Sequence, residues 1–138
     1  MDPAGRFLYA TNQFGGDPSG RFAYVANLGS NNVSAFTIDE RSGRLSPVSG
    51  SPFAAGTFPS AIAVDVLGKF VYVTDEMSNN VSGYTINSTT GALTPIAASP
   101  FGTGYSPMSV AVDPSGRFVY GNIVASGLNG HLYVLTPK

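Results

Sequence analysis

The sequence predicts an all-β fold built from a repeated unit, and three observations support that prediction. A segment of the pattern Asp-x-x-Gly-Arg/Lys-Phe begins at Asp17 and returns at Asp65 and Asp113, each time 48 residues later. A constant period of this length is typical of repeat architectures such as propellers. The repeats carry short runs of aromatic and β-branched residues between turn residues, and no segment has the apolar spacing of a helix. We therefore predict a partial β-propeller of about three four-stranded antiparallel blades.

The predicted domain covers residues 1–138 and divides into unequal parts. Residues 2–12 supply one strand of a partial blade, 17–64 and 65–112 are two repeats, and 113–138 are a truncated repeat. Propellers typically have about four to eight blades, so about three are too few to close a ring. We expect either that the sequence is a segment of a longer protein or that copies close the ring as a homo-oligomer, with a dimer favoured. In such an oligomer the strand at 6–12 could be exchanged between copies.

Each repeat contains four predicted strands. They are residues 21–26, 33–38, 45–48 and 60–64, matched in the next repeat by 69–74, 81–86, 93–96 and 108–112. The third strand contains a proline, Pro47 or Pro95, which cannot donate to a ladder, so we expect this strand at a sheet edge. The fourth strand is rich in small residues, which suits the crowded position nearest a central axis.

The predicted connections agree with antiparallel strands. The sequence from Asp17 to Gly20 has Asp, Pro and Gly at the first, second and fourth positions, which is typical of a type I turn. Residues 39–43 and 87–91 predict hairpin loops with a left-handed glycine at the end. A longer crossover follows Ser51 and ends at Pro59. Hairpin steps followed by a crossover are the connections of a propeller blade.

Composition excludes several classes of protein. Only 11% of the residues are charged, the net charge is −1, and there is no basic cluster, so a nucleic-acid partner is not expected. The absence of cysteine removes disulfides and thiolate metal sites. No apolar run approaches the roughly 18 residues of a membrane-spanning helix, and no signal peptide is evident. We predict no membrane partner, no metal and no cofactor, and slightly favour a secreted or periplasmic location.

Short motifs carry a family resemblance. The segment from Tyr72 to Asp75, with its counterparts at 24–27 and 9–12, resembles the Tyr-Val-Thr-Asn motif of YVTN β-propellers. Together with Asn-Asn-Val-Ser and Ser-Pro-Phe-x-x-Gly-x-x-Pro, it makes the chain similar to the lactonase-like, seven-bladed branch. That branch includes 6-phosphogluconolactonase-type hydrolases and cycloisomerases. The resemblance implies catalysis by His, Arg and Glu around a central channel, but no catalytic motif of the family can be matched to residues here.

Asp75 and Glu76 are the most notable polar pair, because the preceding repeat has Asn27 and Leu28 at their positions. They lie at a strand end, where loops over a rigid scaffold commonly carry function. Consecutive strand residues point to opposite faces, so the two carboxylates cannot converge as an acid/base dyad. We include both as candidate ligand-binding residues, although a solvated loop is the favoured interpretation.

Three further residues complete the candidate ligand-binding set. Phe58 and Tyr105 are interpreted as occupying one repeat position in the crossover, where aromatic rings could line a groove or stack on a sugar. Packing between blades is the favoured alternative for them. His131 is the only histidine. A general base needs convergent partners, so a packing role is favoured for it.

Four cations recur at one position of the repeat: Arg6, Arg21, Lys69 and Arg117. They could surround a phosphate, but repetition favours a structural role beside each Asp turn.

Three functions remain open. The first is a non-catalytic propeller module that acts in assembly or binding, because repeat geometry accounts for nearly every polar residue. The second is a fragment of a lactonase-like hydrolase. The third is an extracellular carbohydrate- or protein-binding domain that uses the loops of Phe58 and Tyr105. Enzymatic activity is not favoured, and the small-molecule or glycan ligand is unidentified.

Overall fold

The chain forms short antiparallel strands throughout the part that the structure describes. The computed structural model describes residues 20–123 and 132–135. The strands are β1 (Phe22–Asn27), β2 (Asn32–Ile38), β3 (Leu45–Pro47), β4 (Phe53–Ala54), β5 (Pro59–Val64), β6 (Phe70–Asp75), β7 (Asn80–Ile86), β8 (Leu93–Pro95), β9 (Phe101–Gly102), β10 (Pro107–Val112), β11 (Val119–Ile123) and β12 (Leu132–Leu135). These residues include no helix, and so none that could cross a membrane. The predicted all-β class is confirmed.

The strands form three separate sheets. The first sheet has the order β1-β2-β3, with β4 also paired to β2. The second has the order β5-β6-β7-β8, with β9 paired to β7, and the third has the order β10-β11-β12. The pairings are antiparallel, as hairpin connections require. These successive twisted sheets are the blades of a partial propeller.

The sequence repeat and the blade are out of phase by one strand. Residues 60–64, the fourth strand of the first repeat, lie in β5 and pair with β6 of the following sheet. The outer strand of the second blade is split, because β8 pairs with the end of β7 and β9 pairs with its beginning. Pro95 lies in β8, opposite Tyr84, at the sheet edge where a residue without an amide proton is tolerated.

The main core lies between the first and second sheets. Alternate residues of each strand face one neighbour, since side chains of a strand alternate between faces. The first sheet contributes Phe22, Tyr24 and Val33 to this core, and the second contributes Val71 and Val73, among other buried residues. The Tyr24 hydroxyl donates to the Gly91 carbonyl of the second sheet at 2.9 Å, which joins the two blades at a buried point.

A smaller core lies between the second and third sheets. It contains Tyr72, Val81 and Val119, with Val110 and Val112 packed against them. The equivalent tyrosines show that the far side of the third sheet is less covered. Tyr24 and Tyr72 are 2% and 1% exposed, whereas Tyr120 is only partly buried. The face of the third sheet that carries Tyr120 therefore lacks the full covering that an adjacent blade gives.

The recurrent Asp turns are structural. The carboxylate of Asp65 accepts hydrogen bonds from the amides of Lys69 and Phe70 at 2.6 and 2.8 Å. Asp113 accepts equivalent bonds, and its pKa is lowered chiefly by the hydrogen bond from the Ser115 hydroxyl. Gly116, at the end of that turn, has a φ of +69°, a left-handed conformation that glycine adopts without steric cost.

Candidate functional site

The loops gather at the two opposite ends of the strands, and each end is called an edge here. One edge, called here the crossover edge, consists of residues 28–31, 55–58, 76–79 and 103–106. The other, called the turn edge, consists of residues 39–44, 65–69, 87–92 and 113–118. Antiparallel pairing decides this grouping, because the start of β5, the end of β6 and the start of β7 all lie at the crossover edge. Four of the five candidate residues lie at or beside that edge.

Two asparagines hold the crossovers in place. Asn31 accepts from the Phe58 amide at 3.0 Å through its side-chain oxygen, and Asn79 accepts from the Ser106 amide at 2.8 Å in the same way. Both asparagines have a φ of +55°, in the left-handed region that asparagine tolerates better than most residues. The first asparagine of each Asn-Asn-Val-Ser motif thus fixes the loop that leads to the next blade.

These contacts correct the placement of the two aromatic candidates. Phe58 and Ser106 share a left-handed φ, of 61° and 54°, and equivalent bonds to Asn31 and Asn79. The interpretation that Phe58 and Tyr105 occupy one repeat position is therefore wrong, because Tyr105 precedes the position that matches Phe58. The two rings still lie in successive crossovers, with Phe58 37% and Tyr105 77% exposed.

The crossover edge carries most of the exposed large apolar side chains. Among the described residues, those at or beside this edge are Leu28, Phe58, Met77, Tyr105 and Met108. Val66 and Leu67 are exposed at the turn edge. Exposed apolar side chains that group at one end of a sheet are a common feature of binding sites.

Asp75 is fully buried, so the solvated-loop interpretation is wrong for this residue. It is the last residue of β6 and faces the first sheet, where its carboxyl lies against Gly56. A Cβ atom built on Gly56 would stand only 2.6 Å from Asp75 Cγ. The Ser82 hydroxyl donates to Asp75 Oδ2 at 2.6 Å, while Asp75 Oδ1 has no hydrogen-bond partner.

The buried position changes the acidity of Asp75. Burial raises the pKa of the carboxyl above its ordinary value, and hydrogen bonds from Ser82 and from the Gly56 backbone oppose the increase. Burial has this effect because the charged form loses its hydration. The neighbouring Tyr84 phenol also has a raised pKa, mainly through its own burial.

Glu76 lies on the other side of the strand, as the alternation of strand residues predicts. Its carboxylate accepts from the Ser106 hydroxyl at 3.1 Å, and its amide donates to the Phe58 carbonyl at 2.9 Å. Glu76 therefore joins the two crossovers that carry Phe58 and Tyr105. It is half-buried and does not converge with Asp75.

A small cavity of about 240 Å³ lies beside Asp75, between the first and second sheets. Residues that line it include Gly56, Asn80, Ser82 and Tyr84. Asn80 lies directly opposite Asp75 in the β6–β7 ladder, and its Oδ1 is also buried without a partner. Sequence reasoning did not select Asn80 or Ser82. The signal that could have found them is the exchange of Asn27 for Asp75 within an otherwise repeated motif.

The cations lie away from this site. Arg21, Lys69 and Arg117 belong to the turn edge or its adjoining strands, and Arg21 donates to the Ser88 carbonyl at 2.7 Å. The guanidinium of Arg117 lies 5.4 Å from the centre of the Phe118 ring. These contacts agree with the structural role expected from repetition.

Two predictions remain, one about residues outside the described ranges and one about metal binding. His131 and Arg6 lie outside the described residues. Within the described ranges, no cluster of three or more histidine, aspartate or glutamate residues could hold a metal ion.

The family of the chain is shown by its sequence. Residues 1–112 match the family model described as lactonase, seven-bladed β-propeller. The chain belongs to this lactonase family. No curated protein matches the chain.

Solved structures of similar shape agree with the fold. A candidate 6-phosphogluconolactonase from Bacteroides uniformis is 23% identical, with a TM-score of 0.69 over 77% of this chain and 31% of its own. The periplasmic gluconolactonase of Pseudomonas aeruginosa is 18% identical, with a TM-score of 0.68 over 89% of this chain and 42% of its own. The chain thus spans less than half the length of these two proteins. At such identities the likeness shows the fold alone.

Proposed function

We propose that this chain is a non-catalytic binding segment of a lactonase-type propeller, which holds an uncharged sugar lactone or a related polyol at the crossover edge. The observation that carries the proposal is the placement of Phe58 and Tyr105, both exposed, in successive crossovers of one edge. Aromatic rings offer flat apolar surfaces on which a sugar ring can stack, with hydroxyl groups free to reach polar loop atoms.

The charges at this edge favour a neutral ligand over a phosphorylated one. Every described lysine and arginine lies at the turn edge or in the strand ends that adjoin it. The crossover edge instead carries the Glu76 carboxylate. A phosphate group would meet repulsion there and no arginine fork, the usual partner of such a group.

Family membership supports the choice of lactones among polyols. Two structural relatives carry the names 6-phosphogluconolactonase and gluconolactonase. Because the chain spans less than half of each, the activity of a complete protein of this family cannot be assigned to it directly. A binding role at one edge requires fewer blades than a complete catalytic site.

The test is titration of the purified chain with glucono-δ-lactone and with its 6-phosphate, followed by NMR of the amides at the crossover edge. We expect the uncharged lactone to shift the amides of residues 55–58 and 103–106. Tyr105→Ala should weaken binding by about tenfold, the factor for a lost contact of about 1.4 kcal/mol. Leu67→Ala is the matched control, since Leu67 is exposed at the turn edge.

Equal weakening by Leu67→Ala, or preference for the 6-phosphate, would contradict the proposed site. The same samples also test the second candidate function, lactone hydrolysis. That function is favoured by one observation, the buried Asp75 with a raised pKa beside a cavity, because carboxyls of this kind serve as general acids. Lactone turnover that is lost in Asp75→Asn would replace the binding role by hydrolysis.

We also propose that copies of the chain associate so that a second copy covers the third sheet. Tyr24 and Tyr72, which are covered by the second and third sheets, are only 2% and 1% exposed. The partly buried Tyr120 lies on the face that such a copy would cover. A dimer would supply about six blades, within the range of known propellers.

A further inference from the structure

The first and second sheets form different side-chain hydrogen bonds at equivalent positions. In the first sheet Asn27 Nδ2 donates to Asn32 Oδ1 at 2.7 Å and to Ser34 Oγ at 2.8 Å. The corresponding residues of the second sheet are Asp75, Asn80 and Ser82, each 48 positions later. An asparagine amide that donates two hydrogen bonds has thus been exchanged for a carboxyl, which donates none when it is ionised.

The exchange leaves two buried acceptors without a donor. Ser82 now donates to Asp75 Oδ2, which reverses the direction of the bond in the first sheet. Asp75 Oδ1 and Asn80 Oδ1 both remain buried and unpartnered. The two residues stand directly opposite each other in the ladder, where side chains of a strand pair come into contact. Buried acceptors without donors are rare in proteins, so this pair needs a proton or a cation.

We propose that Asp75 is protonated in the folded protein and donates its proton to Asn80 Oδ1, so that the contact between the first and second sheets is sensitive to pH. A proton supplies the donor at the position that Asn27 Nδ2 occupies in the first sheet. A bound calcium ion would need about six to eight oxygen ligands, and two free oxygens fall far short of that number.

The surroundings of Asp75 agree with a neutral carboxyl. Its raised pKa has burial as the main cause. The titratable group that faces it on β7 is the Tyr84 phenol, which the charge of Asp75 would affect unfavourably. The crossover from the first sheet contributes Ala54, Ala55 and Gly56 to this region, none with a charged side chain. No described cation is paired with Asp75.

Ionisation would place a charge against the Gly56 backbone in the crossover that carries Phe58. That crossover is held to the second sheet by the bonds from the Glu76 and Met77 amides to Phe58 and Thr57 carbonyls, at 2.9 and 3.2 Å. Ser82 and the Gly56 backbone donate to the carboxyl, but they offset only part of the cost of its burial. A charged Asp75 would therefore favour the entry of water into this junction. The crossover edge is therefore expected to loosen as the pH rises through the folded pKa of Asp75.

The sign of the pH dependence tests the proposal. A carboxyl whose pKa is raised on folding stabilises the folded state below the ordinary carboxyl pKa, and this stability is lost as the pH rises through the folded pKa. We expect the urea midpoint of the full chain to fall across that window, and the Asp75 carboxyl carbon to titrate in NMR above an ordinary aspartate. Asp75→Asn should abolish the fall, since it restores the amide of the first sheet.

Asn27→Asp is the matched control. It places a carboxyl opposite Asn32 and should add a second fall of the midpoint with pH. A different result would contradict the protonation of Asp75. If the Asn80 amide is instead turned so that its nitrogen donates to a carboxylate, the pKa of Asp75 is at or below the ordinary value, and the midpoint stays constant or rises with pH. Should a variant fail to fold, the titration of the Asp75 carbon in the unmodified chain decides between the two.

Discussion

At the scale of single residues, glycines at equivalent positions of the repeat differ in how closely neighbouring side chains approach them. Gly43 and Gly91 occupy the same position of successive repeats and have φ values of +70° and +76°. A Cβ atom on Gly43 would meet nothing within 4 Å, whereas one on Gly91 would lie 2.4 Å from a ring atom of Phe22. The two glycines therefore share a backbone requirement, and only Gly91 also has a packing requirement.

Alanine substitution separates these requirements. Gly43→Ala should destabilise the protein by about 1–2 kcal/mol, the cost of a left-handed L residue. Gly91→Ala should lower the free energy of unfolding by about 1–3 kcal/mol more than Gly43→Ala does, because the Phe22 ring must move in a packed core. Urea unfolding of both variants measures the difference. Equal effects would mean that the Phe22 ring adjusts freely.

At the scale of elements, the crossovers are positioned by side chains of the preceding hairpin. Thr103 and Ser106 amides bond to the backbone and side-chain oxygens of Asn79, at 3.0 and 2.8 Å. Asn31 holds the crossover of Phe58 in the same way. Each candidate aromatic thus lies in a loop that one asparagine of the preceding hairpin bonds at two points.

Asn79→Gly tests this arrangement without backbone strain, because glycine keeps the left-handed conformation while the side-chain acceptor is lost. We expect faster amide hydrogen exchange at residues 103–106 and unchanged exchange at residues 55–58. Asn31→Gly should give the reverse pattern. Faster exchange in both crossovers from either variant would indicate that the edge moves as one unit rather than loop by loop.

At the scale of the whole molecule, the Tyr24 hydroxyl makes a hydrogen bond between two blades, whereas the equivalent Tyr72 hydroxyl is buried without a partner. Burial raises the pKa of Tyr72 to about 12, in agreement with a hydroxyl that is shielded from water. In a separate chain, Tyr72→Phe removes a buried hydroxyl that has no partner, so stability should be unchanged or increased. Tyr24→Phe should lower the free energy of unfolding by about 0.5–1.5 kcal/mol, since it removes the hydrogen bond to the Gly91 carbonyl.

The proposed association makes a separate prediction for Tyr120. If a second copy covers the face that carries Tyr120, Tyr120→Ala should weaken the dimer, which sedimentation over a range of protein concentrations would measure. Sedimentation as a monomer at every concentration would rule out the proposed association. Tyr24→Phe serves as the control, because its hydrogen bond lies within one chain and should not change the dimer mass.

Much of the architecture could be predicted because it is encoded locally. The period, the Asp turns and the proline in the third strand each reflect a backbone requirement that recurs wherever the same residues occur. The positions of Asp75 and Phe58 were harder to predict. Asp75 looked like a loop residue, since a strand end next to Glu76 and Met77 gives no sign that the crossover of another blade lies over it.

The sequence by itself determined the family, the repeated antiparallel blades and the turn chemistry, because these depend on contacts between residues near in the chain. Only the tertiary structure decided which residues meet across blades. Gly56 lies against Asp75, Asn80 is left without a donor, and the aromatic crossovers share an edge far from the cations. Those relations depend on how one twisted sheet stacks on the next, and the spacing of residues along the chain does not record that stacking.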